Sequence, residues 1–380
     1  MTGVGATRLS VEPHTRIVFG AGTVADLPAA IAGCGGRRAL VVTDVGLRSA
    51  GVVDRVRGVL AAAGVETAVW DGVIPNPSPA SLEPGVTAAR LFGECVVVGL
   101  GGGSSLDAAK GIALLATNPD STVGGSGRTP PAPGLPVVAV PTTAGSGAET
   151  NGFGVLDDPH ARRKIYFGDA SVRPRWSVLD PELTVGLPPA ATAATGMDAF
   201  VHGIESLASA GSSPVSAAYA TEAVRLVSAN LATAVADGSD LDARAGMLMG
   251  SHLAGLALSL SGLGLVHGIA HAVTAHTGAV HGLALTAVLD EVMARSLDAA
   301  VPAYARVAEA MGTPGGAPAA GPAVKLLAAQ VAARLPLRDL GVRRQMVGSV
   351  AAGALADAVS ANHPRRFTLD EVVDVLTSHW

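Results

Sequence analysis

Between Arg244 and Asp290 the chain carries no lysine, arginine, aspartate or glutamate. A charge-free run of that length has two natural homes: a bilayer, or a helical core buried on all sides. His252, His267, His271, His276 and His281 lie inside it, beside Ser251, Ser259, Ser261 and many glycines. A lipid-facing helix would leave those imidazoles unsatisfied. The run therefore reads as the buried helical interior of a large soluble protein, and no membrane is expected as a partner.

The rest of the chain supports a large core. Hydrophobic residues make up 49% of the 380 and charged residues 15%, which excludes global disorder. At roughly 150 residues per domain, two domains are expected. The two cysteines, Cys34 and Cys95, form no CxxC pair, so neither a disulfide framework nor a thiolate zinc site is expected. A net charge of −5, no basic block and 3% aromatics argue against nucleic acid. The first sixteen residues, MTGVGATRLSVEPHTR, lack an apolar signal-peptide core, so a cytoplasmic location is expected.

Short β-branched runs at 16–19, 39–42, 67–70, 95–98 and 136–140 alternate with helical stretches at 53–63, 81–92 and 106–116. Strands alternating with helices imply βαβ units and a mostly parallel sheet. Residues 118–135 read as a Gly/Pro/Ser loop, and 150–187 as β-rich and irregular. From Pro188 onward, Ala-rich helical patterns dominate. The expected organisation is an α/β dinucleotide-binding domain over 1–188 and an all-helical, metal-binding catalytic domain over 189–380.

VVVGLGGGSSLDAAK at 96–110 combines a buried strand, a glycine run and a helix. Gly101, Gly102 and Gly103 permit close backbone approach, and Ser104 or Ser105 is placed to cap the helix. Free N–H groups and the helix dipole would then face a phosphate or pyrophosphate. The stretch matches neither GxGxxG nor a P-loop, and a tight strand–helix turn is the simpler reading. Asp44 follows an earlier strand. It is placed either to accept from an adenosine ribose, favouring NAD over NADP, or to cap a helix.

Asp198 and His202 stand four apart in GMDAFVHGIES, as do His267 and His271 in GLVHGIAHAV, with His281 following in AVHGLAL. That spacing puts each pair on one helix face. A carboxylate with several imidazoles in apolar surroundings is a divalent-metal ligand set, and a cation offsets the cost of burying them. A single histidine would more simply be a satisfied core residue. The spacing leaves open which of the five residues are ligands.

Together these segments resemble the iron-containing (group III) alcohol dehydrogenase family along nearly the whole chain. RIVFGAGTV at 16–24, VVTDVGL at 41–47, IPNPSP at 74–79, GGGSSLDAAK at 101–110 and PTTAGSGAET at 141–150 resemble its successive nucleotide-side motifs. VLDPELTVGLPP at 178–189 resembles the passage into its helical domain. GMDAFVHGIES and GLGLVHGIAHAVTAHTGAVHG resemble its metal segments, and ANHPRRFTLDEV at 361–372 its tail.

The resemblance implies Asp198, His202, His267 and His281 as metal ligands, with His271 beside the nicotinamide as the candidate proton shuttle. It implies Gly102, Gly103 and Ser104 at the pyrophosphate. Asp44, Asn76, Asp107, Thr142, Thr143 and Lys164 would be further nucleotide-side residues. The implied cofactors are NAD, preferred over NADP, and Fe(II) or Zn(II). The implied activity interconverts a small alcohol and its aldehyde or ketone, in a homodimer. His276, Ala272, Val280, Leu285 and Asp290 depart from the family's usual residues on the expected substrate side, so the substrate is not inherited. Two other functions share the architecture. One is a dehydroquinate synthase-like lyase or cyclase using NAD transiently, which needs basic residues that 245–289 lack. The other is a metal-free reductase of the maleylacetate type, against which the intact Asp/His set argues.

Overall fold

The structure is a computed structural model that describes residues 15–123 and 130–380. The N-terminal sixteen-residue reading falls almost wholly outside the described residues. The described residues form two compact units: one of 15–123, 130–143 and 148–187, the other of 144–147 and 188–380.

The first unit is built on a six-stranded sheet. Its strands are β1 (Arg16–Phe19), β2 (Arg38–Val42), β3 (Glu66–Trp70), β4 (Val96–Gly101), β5 (Val137–Pro141) and, after a hairpin, β8 (Trp176–Leu179). The order is β1-β8-β5-β4-β2-β3, and every pairing is parallel. The hairpin of β6 (Phe153–Asp158) and β7 (Arg163–Gly168) is antiparallel and resolves the irregular 150–187 stretch. Helices α1 (Leu27–Gly33), α2 (Val45–Ser49), α3 (Val52–Ala62), α4 (Glu83–Phe92) and α5 (Gly103–Thr117) complete the unit.

Alternation along the strands produces two cores. Leu40, Val42 and Val97 join Leu82, Val86 and Ile112 on one face. Ala39, Val41, Val96 and Val98 join Leu27, Ile31, Val56 and Leu60 on the other. With helices on both faces, the strands are buried twice over and read as continuous apolar runs. The chain leaves β2 toward β3, then returns across it to β4. The carboxyl ends of β2 and β4 therefore flank the point where strand order reverses, where open α/β sheets bind ligands.

The second unit is helical from Pro189 onward. Its helices are α6 (Pro189–Ala208), α7 (Pro214–Ala236), α8 (Leu241–Ser261), α9 (Leu265–Thr277), α10 (His281–Arg295), α11 (Val301–Ala310), α12 (Ala317–Gln330), α13 (Val347–Ala356) and α14 (Leu369–Ser378). The charge-free run is most of α8, all of α9 and most of α10. Among the described residues no single helix is long and apolar enough to cross a membrane, and α8 meets α9 at a 104° bend.

The recurring Val-His-Gly tripeptides have a packing cause. A Cβ on Gly282 would lie 1.9 Å from the Ala194 carbonyl of α6, and one on Gly268 would lie 2.8 Å from the Ala354 carbonyl of α13. These glycines let neighbouring helices close to backbone contact, which holds the adjacent histidines in place.

Candidate metal centre and nucleotide loops

The helical unit gathers three imidazoles around one carboxylate oxygen. Asp198 and His202 project from the same face of α6, His267 from the first turn of α9, and His281 from the first residue of α10. The Nε2 atoms of His202, His267 and His281 lie 3.3, 3.6 and 3.7 Å from Asp198 Oδ1. Donors about 2.1 Å from a tetrahedral cation stand about 3.4 Å apart, so these three approaches to Asp198 Oδ1 are compatible with a coordination shell. Asp198 Oδ1 and His267 Nε2 are buried without a hydrogen-bond partner among the described residues, a costly state that a divalent cation would relieve. Single ligand atoms of Asp198, His267 and His281 fall within 4.8 Å of one another. His202 joins them through Asp198, its ring stacked on His267 at 4.7 Å.

Hydrogen bonds on the far side of two rings set their tautomers. His202 Nδ1 donates to the Gly145 carbonyl at 3.2 Å. His267 Nδ1 donates to Glu205 Oε2 at 2.6 Å. With those protons on Nδ1, both rings present Nε2 toward Asp198, as metal-ligating imidazoles do. Burial disfavours a charged Asp198, but the facing imidazoles, His202 foremost, outweigh it and hold the carboxyl well below the usual range. Burial drives His202 down to about 4. Burial also opposes protonation of His267, yet Asp198 and Glu205 on its two sides overcome this and raise it to about 9. The donor set thus suits a hard or borderline cation: one anionic oxygen and imidazole nitrogens, with no thiolate. His281, 28% exposed, is its most open member.

His271 lies against this cluster. Its ring stacks on His281 at 5.3 Å and meets His267 edge-on at 5.9 Å. Its Nδ1 lies 2.8 Å from Asp357 Oδ2, just past the end of α13. His276 is held differently, donating back to the Ala272 carbonyl of its own helix at 2.8 Å. Glu205 and Asp357 were not singled out in the sequence. Glu205 had a legible signal, a carboxylate three residues after His202 on an apolar helix. Asp357, eighty-six residues from His271, had none.

The α/β unit carries the other expected residues. Gly101 has φ +146, and a Cβ there would strike Ser105 Oγ at 2.5 Å, so the loop requires glycine. Gly102 is the N-cap of α5, and no side chain caps it. The expected serine cap does not form: the helix starts at Gly103, so Ser104 and Ser105 lie inside its first turn, and Ser104 Oγ accepts from the Asn76 amide at 3.3 Å. A Cβ on Gly102 would lie 3.3 Å from the Thr143 side chain, and the Thr142 amide donates to Gly101 O at 3.0 Å. Gly102, Gly103, Ser104, Thr142 and Thr143 thus adjoin at the ends of β4 and β5. Asp44 Oδ1 caps α2 by accepting from the Leu47 amide at 3.0 Å.

Asn76 adopts φ +48, and its Oδ1 accepts from Lys164 Nζ at 3.2 Å. Lys164 also pairs with Asp157 at 2.5 Å. Both Asp107 oxygens are engaged inside the protein, Oδ1 with Lys110 Nζ at 3.3 Å and Oδ2 with the Val155 amide at 3.0 Å. Asp107 therefore ties α5 to the hairpin.

A glycine loop at a topological switch point in one unit, and a carboxylate ringed by imidazoles in the other, are features that a nicotinamide- and metal-dependent oxidoreductase requires. Residues 13–181 match the profile of the iron-containing alcohol dehydrogenases, and 192–380 match that of the Fe-containing alcohol dehydrogenase family's C-terminal part. The chain is 34% identical to lactaldehyde reductase of Escherichia coli K12 over 95% of its length and 97% of that protein's. It is 32% identical to the NAD-dependent methanol dehydrogenase of Bacillus methanolicus, over 94% and 96%. The crystal structure of a 1,3-propanediol oxidoreductase superposes with a TM-score of 0.92 at 36% identity, covering 96% of this chain and 98% of that one. The chain belongs to the iron-containing alcohol dehydrogenase family. It interconverts a small alcohol and its carbonyl partner by hydride transfer.

Proposed function

We propose that Asp198, His202, His267 and His281 hold one Fe(II) ion, with Zn(II) as an alternative occupant, and that NAD rather than NADP is the hydride carrier. The observation that carries this reading is the approach of three imidazole Nε2 atoms to one buried carboxylate oxygen. A divalent cation there supplies Lewis acidity toward the substrate oxygen, and the nicotinamide supplies or accepts the hydride.

The protein's own residues do the rest. Gly145 and Glu205 hold His202 and His267 with Nε2 inward. Asp357 holds the Nδ1 proton of His271, so that Nε2 is the atom that exchanges a proton with the substrate side. Gly102, Gly103 and Ser104 receive the pyrophosphate at the N-terminal end of α5, Asn76, Thr142, Thr143 and Lys164 line the nucleotide, and Asp107 ties α5 to the hairpin that carries Lys164. Asp44 spends Oδ1 on its helix and offers its charge to a ribose, which disfavours a 2′-phosphate. The working division is a nucleotide domain over 1–188 and a helical domain over 189–380, in a cytoplasmic homodimer.

The substrates of the relatives above suggest short alcohols and aldehydes, including diols and hydroxyaldehydes. The test is an anaerobic panel of such compounds with NAD or NADH and added Fe(II) or Zn(II). NADH change equal to turnover is expected. Turnover without net NADH change would overturn the assignment in favour of a transient-NAD mechanism.

A further inference from the structure

Helix α9 begins without a cap of its own. Its N-cap is Gly264, which has no side chain, yet its first amides are buried. Such amides need acceptors. They are supplied by other elements. Glu205, on α6, accepts from the Gly264 amide at 3.1 Å through Oε2 and from the Val266 amide at 2.8 Å through Oε1. His363 Nδ1 accepts from the Leu265 amide at 3.3 Å. The same Oε2 receives the His267 Nδ1 proton. Glu205 is 4% exposed, so its charge is held by these three donors and by the dipole of α9.

Gly264 is part of the arrangement. A Cβ there would lie 2.8 Å from Glu205 Oε1 and 2.9 Å from His363 Nδ1. The missing side chain is the room that the carboxylate occupies.

We infer that Glu205 is a positioning residue for the metal centre: one buried carboxylate both starts the helix that carries His267 and His271 and fixes the His267 tautomer that ligates. This rests on the metal reading above. Three donors converge on Glu205, and it must accept from all of them. A glutamine keeps the shape but can accept at only one oxygen. With its amide nitrogen in place of Oε1 it opposes the Val266 N–H; in place of Oε2 it opposes the Gly264 N–H and drives the His267 proton to Nε2, which removes that atom as a ligand. Either way a donor at the start of α9 loses its acceptor.

The test is Zn(II) affinity of the metal-stripped full chain, measured by chelator competition, for wild type, Glu205→Gln and Asp240→Ala. Asp240 caps α8 through the Ala243 amide and touches none of the four proposed ligands, so it controls for loss of a helix cap. Glu205→Gln is expected to bind Zn(II) about 10- to 100-fold more weakly, and Asp240→Ala as wild type. Equal affinity in wild type and Glu205→Gln, or an equal loss in both variants, would overturn the inference. Absence of Zn(II) binding by wild type would overturn the metal reading, and this inference with it. Should Glu205→Gln fail to fold, histidine-selective nitrogen NMR of Zn(II)-loaded wild type decides: a His267 proton on Nδ1 is expected, and one on Nε2 would overturn the inference.

Discussion

Asp357 Oδ2 lies 2.8 Å from His271 Nδ1, and the His271 ring stacks on that of His281. The carboxylate fixes which nitrogen of His271 carries the proton and, in the proposed role, which one exchanges it. Asp357→Asn would reverse that preference while leaving the proposed ligands in place. A fall in kcat of about 10²- to 10⁴-fold is expected, the range over which a positioned acid–base group acts, with metal content unchanged. Metal analysis alongside steady-state kinetics checks this, and loss of metal from the variant would contradict it.

His267→Ala removes the most buried of the proposed ligands. Metal is expected to fall from about one ion per chain to a small fraction, with activity lost in parallel, because each missing ligand weakens a four-donor site steeply. NAD binding, measured by fluorescence titration, is expected to persist, since its loops belong to the α/β unit. Full metal occupancy in the variant would show that another group is the ligand.

Metal uptake should depend on pH through His267. Its metal-free pKa is raised to about 9, by Asp198 and Glu205 against the effect of burial. Below that pH a cation must displace one proton, so affinity is expected to rise about tenfold per pH unit and level off near 9. The sign for stability is opposite. A raised imidazole pKa stabilises the metal-free fold fully below about 6.5, the unfolded value, and that contribution is lost as pH rises through about 9. Calorimetric titration with Zn(II) across this window tests the first statement, and thermal melts of stripped protein the second. A pH-independent affinity between 6.5 and 9 would contradict the account.

Asp44→Gly separates two roles. Glycine at an N-cap costs only a few tenths of a kcal/mol relative to Asp, so α2 should survive. The preference for NAD over NADP, as a ratio of kcat/KM values, is expected to fall at least about tenfold. An unchanged ratio would reduce Asp44 to the cap on Leu47.

Lys110 is fully buried and donates to Asp107, Asn151 and the Phe153 carbonyl, the last at 2.6 Å. Lys110→Met leaves Asp107 with an uncompensated interior charge, which costs about 3–5 kcal/mol. Denaturant unfolding should register that loss, and adding Asp107→Asn should recover part of it. A variant as stable as wild type would show that the pair contributes nothing.

The parallel sheet was legible because β-branched runs such as 39–42 and 96–98 are buried on both faces and so lack polar alternation. The cluster proposed to hold the metal was legible because i,i+4 spacing survives in the sequence for Asp198 with His202 and for His267 with its neighbour His271. Its supports were not. Asp357 reaches His271, and His363 the start of α9, across long stretches of chain, and no local period encodes such pairings. The serine cap on α5 failed because the helix starts at Gly103 with Gly102 at the N-cap, so Ser104 and Ser105 lie inside its first turn. Helix α2 was missed because five residues are too few for a periodic signal.

The most direct measurement is anomalous diffraction at the iron edge from crystals grown anaerobically with Fe(II). The expected result is a single peak bonded to Asp198 and to Nε2 of His202, His267 and His281, with Glu205 still holding Nδ1 of His267. An iron peak coordinated by other residues, or none at Asp198 in crystals of active enzyme, would contradict the account.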